Sequence, residues 1–399
     1  MVKQTHRTPN FATSLKGILK IDIFKLDIKI EEYIQVKRRI KQRGEKVEEK
    51  SLLFLKKLIE TPSPSGFEQP VQKIIREELK ESAGYIKTDV HGNVIAAKNP
   101  EGRPRIMLAA HCDEVGFMVR YIDEDGFIYF SSIGGVDAHI VPGQRVKIHT
   151  KSGPVLGVVG KKPIHILEEE EKKKVVKLSE QWIDIGIDGR EEVEKIVRIG
   201  DPVTFARGLE RLQGNTIVAR GIDDKIGTFI VCEVLKSVSH LSFSAGLFVT
   251  LTVQEEVGLR GARTSAYFIN PDVGIAVDVD LASDFPTADK KKQGEIKVGK
   301  GPVLFRGPNI NPQIGEMLVK IAEEKNIPYQ LSGEPRATPT DANVIQINRS
   351  GVAAGLVSVP ARYLHTPVEI VSLEDVENAI ILLKEFILQI KRGENFIPL

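Results

Sequence analysis

Apolar and polar residues change their spacing several times along this chain of 399 residues, and each change predicts an element. From Glu48 the period is helical. Leu52, Leu53, Leu55, Leu58 and Ile59 share one face, and the run 61–66 (TPSPSG) stops the helix. Residues 67–81 read as a second amphipathic helix, followed by β-like runs at 93–97 and 106–110. Between about 113 and 207 the pattern becomes short alternating strands (115–122, 127–131, 145–148, 155–159) separated by Gly-rich turns, as in a small all-β unit. Within it, the charge run 168–174 reads as a solvated loop. After about 208, strand and helix alternate again: helix 225–238, strands 245–253 and 274–279, helix 312–326, strand 352–358 and a long amphipathic helix 373–391. Alternation at these lengths predicts an α/β sandwich around a mostly parallel central sheet, covered on both faces and interrupted by the β insertion. The expected division is therefore an α/β domain over 46–112 and 208–399, with the inserted unit over 113–207.

Residues 1–45 follow neither pattern. Residues 20–29 alternate as a two-faced strand would, and a basic stretch, 37–43, follows. Two readings stand: an appendage, or upstream sequence translated from a misplaced start. Met107 is the next methionine after Met1, so a later start would need another codon. The formal net charge is +2, but residues 1–50 hold 13 Lys/Arg against 7 Asp/Glu, leaving 43 against 47 for the remainder. That main body offers no electrostatic case for nucleic acid. No apolar run approaches the roughly 20 residues of a membrane span. The first 20 residues carry four basic residues and no acid, yet they lack the apolar core of a secretory signal. Two cysteines, Cys112 and Cys232, exclude a disulfide framework and a thiolate zinc site. The expectation is a protein of the cytoplasm.

The polar islands that interrupt the apolar runs carry the chemistry. In open α/β sheets ligands gather beyond the carboxyl ends of the strands. His111 follows 106–110, Glu255 and Glu256 follow the run ending at Val253, Asp278 closes 273–277, and His365 comes shortly after 352–359. Asp223 opens a helix after Gly221. Each signal alone is weak: Glu pairs recur at 31–32, 48–49 and 191–192, and a His-x-Asp triplet is usually structural. Their placement after successive apolar strands is the informative part. His, Asp and Glu without Cys suit zinc, cobalt or manganese. Two such ions, about 3.5–4 Å apart, usually share a bridging carboxylate. Asp113 is placed to bind the ring N–H of His111 and hold its tautomer. Cys112 is not read as a nucleophile, because a sequence neighbour of His111 points away on a strand.

These islands also resemble something known. Segments 110–116 (AHCDEVG), 221–227 (GIDDKIG), 254–262 (QEEVGLRGA), 340–343 (TDAN) and 364–369 (LHTPVE) are similar to the motifs of the M42 family of metallo-aminopeptidases. So are 133–135 (IGG) and 142–146 (PGQRV) inside the β unit. The resemblance runs from about 47 to 395, in order, and leaves residues 1–45 without a counterpart. It implies a peptidase α/β domain with an inserted barrel-like dimerisation domain, and two divalent metal ions per subunit. His111 and Asp278 would hold one ion, Glu256 and His365 the other, and Asp223 would bridge them, often with a cis peptide to the next residue. Glu255 would be the general base and Asp113 the orienter of His111. The implied substrates are peptides with a free N-terminus, and the implied assembly is a homo-oligomer built from dimers, commonly of twelve subunits. Two positions depart from the pattern: 136–139 (VDAH) follows the Gly pair, and Asp280 stands where Thr or Gly is commoner. Two other readings stand beside this one. A glycosidase such as an endoglucanase needs only two carboxyls and has no use for His111, Asp223 and His365. A non-catalytic assembly protein has no need of a complete ligand set.

Overall fold

The computed structural model describes residues 49–398; the two-faced strand read at 20–29, the basic stretch 37–43 and His6 lie outside them. Helix α1 (Glu49–Glu60) buries Phe54, Leu55, Leu58 and Ile59, and α2 (Gln69–Leu79) begins with Pro in its first turn, where no amide partner is needed. Strands β1 (Tyr85–Thr88), β2 (Val94–Lys98) and β3 (Arg105–His111) follow. The chain then leaves for β4 (Gly116–Ile122), β5 (Ile128–Ile133), β6 (Arg145–Thr150), β7 (Gly153–Gly160), β8 (Trp182–Asp184) and β9 (Pro202–Phe205). These six close into an antiparallel barrel in the order β4-β5-β8-β7-β6-β9. Its inward positions are apolar: Phe117 meets the rings of Phe130 and Phe205 edge-on, with centroids 5.0 and 5.3 Å apart.

On return come β10 (Glu210–Arg211), β11 (Thr216–Ala219) and α3 (Ile222–Val238), then β12 (Gly246–Thr252), α4 (Arg260–Ile269) and β13 (Val273–Leu281). The chain ends through β14 (Val303–Arg306), α5 (Pro312–Lys325), β15 (Gln330–Gly333), α6 (Asp341–Gln346), β16 (Ala353–Ala361), β17 (Glu369–Ser372) and α7 (Leu373–Gln389). Eight strands make the main sheet in the order β1-β2-β12-β3-β13-β16-β14-β15. Its four central strands, β12, β3, β13 and β16, run parallel. Helices cover both faces, so β12 is buried along its whole length and reads as an apolar run with Thr250 and Thr252 as its polar members.

Some elements depart from the pattern-based reading. β16 continues to Ala361 because it stays paired with β13 up to Leu281, which carries the chain closer to His365. The charge run 168–174 contains a helical turn, Glu169–Lys172. Its Glu-rich start complements the helix dipole, Glu168 and Glu171 form a capping box, and the segment remains exposed. Strands β8, β14, β15 and β17, of three or four residues, are too short to show a period.

Two packing details position the site. Helix α3 lies against β13 through Gly227, where a Cβ would sit 2.6 Å from the carbonyl oxygen of Val277 and press on the Asp224 carboxylate. Gly227→Ala is expected to destabilise the protein by roughly 1–3 kcal/mol, the usual cost of overpacking. A lower Tm in a thermal melt checks it, and an unchanged Tm counts against this packing. Near the point where the chain enters the barrel, Glu114 is buried between two cations. Its carboxylate accepts from Lys225 Nζ (2.7 Å) and Ser63 N (2.9 Å) and pairs with Arg220. Lys225 also donates to the Thr61 carbonyl (2.7 Å).

Candidate metal centre

Strand register brings the polar islands to one place. His111 ends β3 opposite Thr252 of β12, and Ala276 of β13 pairs with Ala109, so Asp278 falls level with His111 at the same sheet edge. Gln254, with φ of 58°, takes the left-handed conformation and turns the chain off β12. Glu255 and Glu256 therefore lie on a turn rather than on opposite faces of a strand. Asp223 and Asp224 interrupt the first turn of α3 and are joined by a cis peptide bond. His365 follows β16 with φ of 59°.

The distances tie these residues together. Nε2 of His111 lies 3.1 Å from Oδ1 of Asp223, and Nε2 of His365 lies 3.3 Å from Oδ2 of the same carboxylate. One aspartate thus faces two imidazoles, one oxygen to each. His365 Nε2 is also 3.5 Å from Glu256 Oε2, and His111 Nε2 is 3.8 Å from Glu255 Oε2. Among the described residues, two groups could hold an ion, with ligand atoms all within 4.8 Å: His111, Glu255 and Asp278, and His111, Asp223 and Glu256. The adjacent glutamates have separated, one toward His111 and Asp278, the other toward Asp223 and His365. These six side chains line one cavity, and histidines 91, 139, 149, 165 and 240 are not part of its lining.

A set of buried acids grips the main chain beneath these side chains. Asp113 accepts from the amides of Glu255 (3.1 Å) and Glu256 (3.2 Å) and from the Ser65 hydroxyl (2.7 Å). The ring Nδ1 of His111 is 3.1 Å from the Asp113 carbonyl and 3.5 Å from its carboxylate, so the carbonyl is the nearer partner for the imidazole. Glu369 accepts from the amides of His365 (2.8 Å) and Asp223 (3.2 Å), and Asp224 from that of His111 (3.3 Å). Asp341 accepts from the Thr252 hydroxyl (2.6 Å). Sequence reading points to Asp113 as the orienter of the His111 ring, a contact of 3.5 Å in the structure, and gives no role to Glu369, Asp224 or Asp341. These three stand inside the quoted motifs.

The electrostatics ask for a cation. Asp223, Glu255, Glu256 and Asp278 set four carboxylates against two imidazoles in a mostly buried site. Burial, opposed by His111 and reinforced by Asp278, pushes the Glu255 carboxyl up to about 10. Burial and the neighbouring Asp223 push Glu256 up to about 8. Asp223 moves the other way: burial would raise it, but bonds to His111 and His365 outweigh that. Burial likewise opposes charge on His111, yet Glu255, Asp113 and Asp223 drive it upward. Oε1 of Glu256 is buried with no hydrogen-bond partner, an arrangement that is costly unless something positive supplies one. The donor set, imidazole with carboxylate and no thiolate, fits divalent ions of the zinc type.

Comparison with known proteins agrees. The sequence profile described as M42 glutamyl aminopeptidase matches residues 92–382. The chain belongs to the M42 family. Lysyl aminopeptidase of Pyrococcus furiosus is 38% identical over 346 residues, spanning 85% of this chain and 97% of that protein. The crystal structure of a TET aminopeptidase from the marine sediment archaeon Thaumarchaeota archaeon SCGC AB-539-E09 superposes with a TM-score of 0.82 at 36% identity, covering 86% of this chain and 97% of that one. TET1 peptidase of Pyrococcus horikoshii, which assembles into a tetrahedron or a large octahedral shell, gives 0.77 at 30% identity, covering 85% and 100%. This M42 chain is an aminopeptidase-type hydrolase of a metal-dependent family. Among the described residues, no helix is long and apolar enough to cross a membrane.

Proposed function

We propose that this M42 enzyme removes the N-terminal residue from peptides with two divalent metal ions, zinc or cobalt first and manganese as a further candidate. His111 and Asp278 would hold one ion, Glu256 and His365 the other, and Asp223 would be shared. The observation that carries this reading is the Asp223 carboxylate, with one oxygen 3.1 Å from one imidazole and the other 3.3 Å from the second. When bound, the ions lower the pKa of a water and stabilise negative charge developing on the scissile carbonyl.

The chain's own groups supply the rest. Glu255 accepts the proton of the attacking water and passes it to the leaving amine. Asp113 holds Glu255 and Glu256 in place through their amides, and Glu369 does the same for Asp223 and His365. The same reading takes 46–112 and 208–399 as the catalytic domain and 113–207 as the inserted dimerisation domain. It extends to a homo-oligomer built from dimers, up to twelve subunits, working in the cytoplasm.

Metal removal tests the proposal. Dialysis against a chelator is expected to abolish hydrolysis of aminoacyl p-nitroanilides and to lower Tm. Zinc, cobalt or manganese added back in turn should restore both. Amide hydrolysis that survives metal-free dialysis overturns the reading. Metal-independent cleavage of a β-glucan by the same preparation would favour the glycosidase instead.

A further inference from the structure

The cavity over the metal-ligand cluster, about 530 Å³, has a second acidic feature that the proposed chemistry does not use. Asp280 and Glu334 line its wall together with Phe305, Leu356 and Thr338. Asp280 lies two residues beyond Asp278 on β13, and alternate residues of a strand share a face, so it stands on the Asp278 side about 7 Å farther out. Glu334 follows the last residue of β15, its amide bound to the Arg306 carbonyl (2.9 Å), and its field reaches Asp280. Among the described residues lining this cavity there is no Lys or Arg. Phe305 and Leu356 supply an apolar surface next to the acids.

We infer that Asp280 and Glu334 form the outer wall of the pocket for the substrate's first side chain and select N-terminal lysine and arginine. This rests on the aminopeptidase reading. A lysine side chain has a four-carbon apolar stem and a compact ammonium head. With its α-amine at the metal-ligand cluster, the stem runs along Phe305 and Leu356 and brings the head to the two carboxylates. An acidic first residue meets the same carboxylates as like charges and is rejected.

The test compares kcat/KM for lysyl, arginyl, norleucyl and glutamyl p-nitroanilides on the full-length, metal-loaded protein. Norleucine keeps the stem and lacks the ammonium. A charged hydrogen-bonded contact implies a Lys:norleucine ratio of roughly 10 to 100. Asp280→Asn and Glu334→Gln are each expected to lower that ratio several-fold. Because it is a ratio on one preparation, loss of folded or metal-loaded enzyme cancels. A ratio near one, a preference for glutamyl substrate, or a ratio unmoved in both variants overturns the inference while hydrolysis of norleucyl substrate leaves the aminopeptidase reading standing. Absence of hydrolysis with every substrate overturns that reading, and this inference with it.

Discussion

Glu255→Gln is expected to lower kcat by about 10²–10⁴-fold while metal content stays close to that of the unchanged protein. Glutamine preserves the volume of the side chain and leaves the Glu255 amide free to donate to Asp113 at 3.1 Å, so the turn after β12 keeps its shape. What disappears is a group able to take up and return a proton. Glu256→Gln is a different change. Its carboxylate lies 3.5 Å from His365 Nε2 and is the glutamate proposed to hold an ion with that imidazole, so losing its charge should weaken metal retention as well as turnover. Steady-state kinetics with metal analysis by mass spectrometry separates the two. Full activity in Glu255→Gln at unchanged metal content would show that the division of labour between the neighbouring glutamates is wrong.

The largest structural effect is expected from Glu114→Ala. It leaves Arg220 and Lys225 as buried cations without their shared counter-charge; breaking a buried pair in this way costs about 3–5 kcal/mol. For a chain of this size that is a fall in Tm of about 4–6 °C. The same cluster sets an acid limit. Burial opposes ionisation of Glu114, but Arg220 and Lys225 outweigh it and hold its carboxyl down at about 2, below the usual 4.5. The stabilisation is thus fully present above pH 4.5 and is lost as pH falls toward 2. Lys225, pressed by burial and by Arg220, is brought down to about 8 despite Glu114, so its neutral form costs less in the folded protein than in the unfolded one. The gap in Tm between the unchanged protein and the variant should narrow as melts go from pH 7 to pH 3. A constant gap in Tm across that range would show that the Glu114 charge is not what stabilises this seam.

The parts of the fold legible in the sequence were those with a long period. The central strands are buried on both faces and show as apolar runs, and the insertion shows where runs shorten and begin to alternate. Strands of three or four residues leave no period to read. At the site, His111, Asp223, Glu255, Glu256, Asp278 and His365 stood out because they interrupt apolar runs, and register then brings them together. Glu369, Asp224 and Asp341 did not stand out. A carboxylate that grips an amide from below is chosen by a contact across the fold, of 113 residues for Asp224 with His111 and 146 for Glu369 with Asp223, and neither separation leaves a local pattern. The left-handed turn at Gln254 was equally hidden, since no glycine marks it.

The ring of His365 has one further partner. Its Nδ1 lies 2.8 Å from the carbonyl oxygen of Gly135, two residues past the end of barrel strand β5. The segment after β5 thus helps to set the tautomer and aim of this imidazole, together with Glu369, which holds its amide. The bond to Gly135 is a thermodynamic handle. Under the proposed function, an event that shifts the end of β5, such as subunit association through the barrel, would change the affinity at Nε2, and an ion held there would bias the barrel by the same free energy. Assembly and metal loading would then be two readings of one equilibrium.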